Sequence, residues 1–469
     1  MRSVMTHGTT WTALGRATAL GRATALGFAI AAFSGSAGAW VAAPPLPGAR
    51  PETVGLSSAR LRHMNDFFRI QAQRHEASGY VLMVARDGRL VDSAAIGERD
   101  LRKHLPMRLD TRFRIASMTK PVTAVAVLML YEEGDFQLDD PVARFLPEFA
   151  HMQVFSGVDA QGRLLTVPAA RPVTIRDLLT HTSGLGYFPG FDTKSPLAKT
   201  YAQLYPDPHL SLADNVRRIA SLPLYFQPGQ GWRYSYAYDV LGRLVEVVSG
   251  QPFAQFLRER IFDPLGMHAT GFSITPAEAG NLAVVYRHDH DGELHRSHNP
   301  LLTDPTDAGV WPSGGGGLIS TAGDYLRFAQ MLANGGTLDG RRFLSPVTVR
   351  LMTRDQVPAD ALAGYFGPDS IGLGYGLGVG VVLDAAHVPQ ADLAGDYAWG
   401  GILDTHWLVS PRSGLVAVLL SQIDPSGETA PRRTDGDFRD LLFASLDSLR
   451  LADRRPAGKP STGEAAAAR

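Results

Sequence analysis

Residues 122–131 are apolar on almost every side of a helical wheel, so a helix there requires other elements wrapped around all of it. Directly ahead of that run stands Ile115-Ala116-Ser117-Met118-Thr119-Lys120-Pro121. Pro121 falls in the first turn, where its missing N–H costs little, and Gly134 is placed to close the helix. Residues at i and i+3 share a helix face, so Ser117 Oγ and Lys120 Nζ can meet. The chain has only five lysines, and Lys120 alone follows a serine at this spacing. A lysine whose ammonium form is disfavoured by burial can act as base for a serine nucleophile. Arginine cannot take that task, because its guanidinium stays protonated.

The 469 residues exceed a usual single domain and allow two structural units. A formal net charge of −1 and the lack of any basic run argue against nucleic acid or an anionic membrane surface as partner, which leaves small molecules. Without cysteine there is no disulfide, no thiolate chemistry and no Cys-based zinc site. Arg2, Arg16 and Arg22 precede an apolar segment at 23–33 and then Ser34-Gly35-Ser36-Ala37-Gly38-Ala39. That layout predicts a secretory signal over residues 1–39, cleaved after Ala39, and an exported, periplasmic or secreted protein with no stable membrane association after processing.

A Pro-rich linker occupies 40–55. Leu56-Ser57-Ser58-Ala59 then starts an amphipathic helix with Leu61, Met64, Phe68 and Ile70 on its inner side. Asp87-Gly88 marks the turn of a hairpin between 80–86 and 89–96. Helices and long loops are expected over 135–310, with N-terminal caps at Thr174 and Ser211, each followed three residues on by an aspartate. Strand patterns return at 397–403, 405–410 and 415–422, and a last helix is expected at 437–451. The Pro-, Gly-, Ala- and charge-rich stretch 452–469 reads as a disordered tail. The predicted class is therefore α+β. A sheet domain from 56–134 and 311–451 has flanking helices, and a mainly α-helical domain is inserted over 135–310.

Ser117-x-x-Lys120, Tyr234-Ser235-Tyr236 and Trp399-Gly400-Gly401 occur in this order, with Leu178 to Leu185 and Gly314 to Ala322 as supporting text. In this combination the chain resembles the serine β-lactamase and penicillin-binding-protein superfamily, and within it the family VIII carboxylesterases, over about residues 50–450. The resemblance implies a β-lactamase/D,D-peptidase-like fold with the antiparallel sheet built from both chain ends. It implies that Ser117 attacks an acyl carbon, that Lys120 and Tyr234 share the work of general base and acid, and that the acyl-enzyme is hydrolysed. Which of the two takes the serine proton stays open. It places an oxyanion between the backbone N–H groups of Ser117 and Ile402, and substrate against Tyr236, Trp399, Gly400 and Gly401. No cofactor and no metal are implied, and no oligomeric state follows.

Penicillin-recognising relatives carry Lys-Thr-Gly where this chain has Trp399-Gly400-Gly401, and tend to have Asn where Tyr236 stands. Asp404 is expected to add negative charge near the entrance. All three point to esters without an anionic end, and the apolar indole of Trp399 suits short-chain acyl esters. The alternatives are a β-lactamase or D,D-peptidase, or an acyltransferase on the same fold. No Gly-x-Ser-x-Gly elbow is present, which disfavours an α/β-hydrolase. His181 reads as a loop residue, not a base. His288-Asp289-His290-Asp291-Gly292-Glu293 lacks metalloprotease spacing and reads as a hairpin turn.

Overall fold

The computed structural model describes residues 45–187, 195–203, 207–299, 302–358, 361–367, 370–426 and 433–449. The expected signal segment and the tail from 452 lie outside them. Helix α1 (Ser58–Gln73) begins where the Ser57 hydroxyl accepts from the Arg60 N–H, and it buries Leu61, Met64 and Phe68. Ile70 does not share that face; it is 46% exposed. Strands β1 (Gly79–Arg86) and β2 (Arg89–Asp100) flank the Asp87-Gly88 turn, with both turn residues at positive φ. A two-residue strand, β3 (Leu105–Pro106), continues the meander. Helix α2 (Thr119–Glu133) is buried continuously from Thr119 to Leu130 and ends at Gly134, whose φ of 87° is the left-handed conformation that glycine adopts without strain.

The middle of the chain supplies α3 (Ile175–Leu179), opened by a reciprocal Thr174–Asp177 capping box, α4 (Leu212–Ala220), capped by Ser211, and α5 (Ala237–Ser249). It also contains two hairpins: Gln153–Val158 with Leu164–Pro168, in a stretch expected to be loop, and Tyr286–His288 with Leu294–Arg296, around the expected Asp291-Gly292 turn. After α6 (Ala322–Ala333) come β4 (Leu373–Tyr375), β5 (Gly380–Val382), β6 (Tyr397–Gly401), β7 (Thr405–Ser410) and β8 (Leu415–Leu420). Helix α7 (Thr434–Ala444) starts and stops earlier than its hydrophobic pattern indicated. Among the described residues no helix is long and apolar enough to cross a membrane.

The strands form one antiparallel sheet in the order β4-β5-β6-β7-β8-β1-β2-β3, so both chain ends contribute to it. Alternation along the two central strands decides what covers each face. Tyr80, Leu82, Val84, Leu415, Ala417 and Leu419 join Leu61, Met64, Phe68, Phe438 and Leu442 in one core, beneath α1 and α7. Val81, Met83, Ala85, Val416, Val418 and Leu420 join residues of α2, α5 and α6 in the other. A strand covered on both faces has no polar side, which is why β1 and β8 read as unbroken apolar runs. Each fully buried Val, Leu or Ile there contributes about 1.5–3 kcal/mol of transfer free energy. The second core also accounts for the apolar circumference of α2, which lies between the sheet and the helical region.

Candidate active site

Ser117 sits in a single 3-10 turn, Ala116–Met118, that leads directly into α2. Ala116 has a φ of 44°, a left-handed conformation costly for a residue with a Cβ, and such strain persists only where surrounding bonds enforce it. Those bonds are present. The Ile115 N–H donates to Leu318 O at 3.0 Å, the Leu318 N–H donates to Thr119 Oγ1 at 3.2 Å, and the Tyr325 hydroxyl donates to Met118 O at 2.8 Å.

Lys120 points back along the same face. Its Nζ lies 3.2 Å from Ser117 Oγ and 2.6 Å from Gly315 O, and 4.3 Å from the centre of the Tyr234 ring. The residue is fully buried and makes no salt bridge among the described residues. Burial disfavours the ammonium form and brings the amine down to about 7, against a weaker upward pull from the Asp239 carboxylate. The glycines at 314–317 let the loop carrying Gly315 O lie against the helices: a Cβ on Gly314 would stand 2.3 Å from Tyr238 O.

Tyr234 arrives from the segment before α5, held by hydrogen bonds from Arg233 N to His181 O and from Tyr236 N to Gly186 O. Its phenol is hydrogen-bonded to Ser117 and receives the Trp399 indole N–H at 3.4 Å. Burial raises its proton affinity above that of an ordinary tyrosine. His181 packs 4.7 Å from the Tyr234 ring centre with Nδ1 3.0 Å from Ser235 Oγ, and burial with the nearby Lys120 keeps its imidazole neutral.

Ser117 opens on a cleft of about 430 Å³ whose lining includes Tyr236, Ile402, Phe272, Leu302, Val310 and Trp311. Trp399, Gly400 and Gly401 do not line it. Trp399 is half-buried between Tyr234 and Tyr375. Gly401 is required by close approach, because a Cβ there would meet Thr405 Oγ1 at 2.3 Å and Ile115 O at 2.4 Å. Ile402 stands in the turn after β6, one residue past the strand, and is 47% exposed. Asp404 is not at the entrance. It is buried, with a φ of 63° and its Oδ1 3.0 Å from His406 Nε2, so the turn draws its carboxylate inward.

The charged residues of the cleft, Arg114, Asp239 and Asp424, do not stand out in the sequence. Arg114, three residues before Ser117, lines the wall and donates to Thr303 O at 2.7 Å. It shares the lining with Asp239 and Asp424, so the cleft carries no net positive charge. Asp239 is fully buried beside Ser313 and Gly315. The Asp289-His290-Asp291 group lies on an exposed hairpin turn, where Asp289 Oδ1 accepts from the Asp291 and Glu293 N–H groups.

With this geometry in view, residues 64–440 match the model of the Beta-lactamase family. The chain belongs to that family. It is 40% identical to Protein Rv1367c of Mycobacterium tuberculosis, over 74% of this chain and 86% of that one. It is 36% identical to Esterase EstB of Burkholderia gladioli, over 84% and 98%. Among solved structures, EstCE1, described as a hydrolase with promiscuous acyltransferase activity, aligns with a TM-score of 0.69 and 29% identity over 82% of this chain and 99% of its own. These relatives place the chain among the serine β-lactamase-like hydrolases and acyltransferases, on the side of the esterases.

Proposed function

We propose that this family member is a serine carboxylesterase acting on short-chain acyl esters of uncharged alcohols or phenols. The observation that carries the reading is Lys120 Nζ at 3.2 Å from Ser117 Oγ, with the amine's proton affinity brought to about 7. At neutral pH a substantial share of that amine is free base, whereas burial holds the Tyr234 phenol protonated. Lys120 therefore takes the Ser117 proton as Oγ attacks the acyl carbon, and Tyr234 gives its proton to the departing alkoxide. The oxyanion is held by the Ser117 and Ile402 N–H groups, a kind of donor each worth about 2.7–4 kcal/mol. Water then attacks the acyl-enzyme and passes a proton to the Tyr234 phenolate, while Lys120 returns its proton to Ser117 Oγ as the acyl–oxygen bond breaks and the acid leaves.

The substrate class rests on the lining. Apolar walls and no net positive charge favour an uncharged ester, because no lining cation is left unmatched to pair a substrate carboxylate. On one preparation, kcat/KM for p-nitrophenyl butyrate should exceed that for a penicillin by at least tenfold, and Ser117→Ala should abolish both turnover and fluorophosphonate labelling. A preference for the penicillin, or wild-type turnover in Ser117→Ala, refutes the assignment. The likeness to EstCE1 favours acyl transfer as a second reading, in which an added alcohol diverts the acyl group from water to a new ester.

A further inference from the structure

Asp239 is the third residue of α5, and its carboxylate points away from the helix into the floor of the site. Its Oδ1 accepts from Ser313 Oγ at 2.6 Å and from the Gly315 N–H at 3.2 Å. The carbonyl of that same Gly315 accepts from Lys120 Nζ at 2.6 Å. One residue of the glycine loop thus bridges a buried carboxylate and a buried amine through its own N–H and C=O. Oδ2 flanks the loop as well: a Cβ on Gly315 would lie 3.1 Å from it.

The plain alternative is that Asp239 only fastens the loop to the helix start. Against it stands the charge balance. A buried carboxylate without a counter-charge is expensive, and Asp239 makes no salt bridge among the described residues. The groups that face Lys120 are Tyr187, Tyr234 and Tyr238, the imidazole of His181, and Asp239. Burial keeps Tyr234, Tyr238 and His181 neutral. Asp239 is the remaining formal charge acting on the amine.

We propose that Asp239 is a positioning residue for the nucleophile pair: it holds the Gly315 carbonyl against the Lys120 amine and, as its counter-charge, fixes where that amine titrates. The proposal rests on the reading of Lys120 as the base only for its effect on rate. Burial pushes the two groups in opposite directions, Asp239 up and Lys120 down, and each charge partly offsets the shift of the other.

The test is Asp239→Asn, which keeps an acceptor for Gly315 and removes the charge. With five lysines in the chain, ¹³Cε-lysine labelling resolves Lys120 by NMR independently of turnover. Its titration midpoint should fall by about one pH unit or more, the usual effect of losing an opposite charge nearby. The acid limb of kcat/KM should follow it, so that activity at pH 6 relative to plateau rises about fivefold. A midpoint that stays within a few tenths of wild type, or rises, overturns the proposal. A midpoint that falls while the kinetic limb stays put leaves Asp239's role standing and removes Lys120 as base. Asp239→Ser, with a hydroxyl toward Gly315, should give the same downward shift and serves if the amide variant does not fold.

Discussion

Gly401→Ala adds one methyl group at the contact between the end of β6 and the backbone preceding the nucleophile. The new Cβ would stand 2.4 Å from Ile115 O and 2.3 Å from Thr405 Oγ1, and real Cβ contacts do not fall below 3.0 Å. The threonine can rotate away, but only by giving up its own 3.2 Å bond to Ile115 O, worth about 1 kcal/mol. The carbonyl cannot rotate. It is two residues from Ser117, in a turn pinned by Leu318 and Tyr325. The strand end must therefore retreat by about 0.6 Å and carry Ile402, the next residue, with it. An oxyanion donor works at about 2.7–3.1 Å from the developing charge, so the same shift takes Ile402 N–H out of hydrogen-bond range. Most of one donor is lost, about 2.7–4 kcal/mol, or 10²- to 10³-fold in kcat. The assay is steady-state hydrolysis of p-nitrophenyl butyrate, alongside circular dichroism to establish that the variant folds. A folded Gly401→Ala enzyme with kcat within threefold of wild type refutes Ile402 as the donor.

Lys120→Arg keeps a cation but removes the proton acceptor, and should lower kcat/KM by about 10²- to 10⁴-fold at pH 7, the range for a lost general base; substantial residual activity makes Lys120 an electrostatic support instead. His406 lies between Asp404 and Asp435; burial opposes its charge, but the two carboxylates outweigh it and raise its proton affinity above that of a free imidazole. Its contribution to stability is therefore full below about pH 6.5 and fades as pH rises through the folded-state value. Urea unfolding should show His406→Gln destabilised more at pH 5.5 than at pH 9, and an equal difference at both pH values contradicts the ion-pair account.

Much of this fold was legible because local chemistry specifies it. Asp87-Gly88 admits little but a tight hairpin, Thr174 with Asp177 caps whatever helix follows, and the apolar circumference of α2 could only mean enclosure. Strands β4 and β5 escaped because each is three residues long and their segment is rich in glycine, too short for alternation to register. Asp404 was misplaced for a different reason: nothing in its neighbours signals that a positive φ turns its side chain inward toward His406. Ser117, Lys120 and Tyr234 could be named from sequence, and the structure brings them together. Asp239 could not, since an acid in the first turn of a helix is commonplace, and what sets this one apart is a glycine 76 positions later.

The pairing of β1 with β8 joins Val81 to Leu420 across almost the whole described chain. The nucleophile is made early in synthesis, but Gly315 and Ile402 follow two to three hundred residues later, and β8 must emerge before the centre of the sheet can close. Contacts so distant in sequence form slowly and late. Until they do, β1 has an unpaired edge, and Ser117 lacks both the Gly315 carbonyl that accepts from Lys120 and the Ile402 N–H proposed as second oxyanion donor. On the proposed mechanism, hydrolytic competence is all or none with respect to folding: a nascent or truncated chain carrying Ser117 and Lys120 is expected to cleave nothing. Turnover per molecule consequently measures the fraction of chains whose two ends have met.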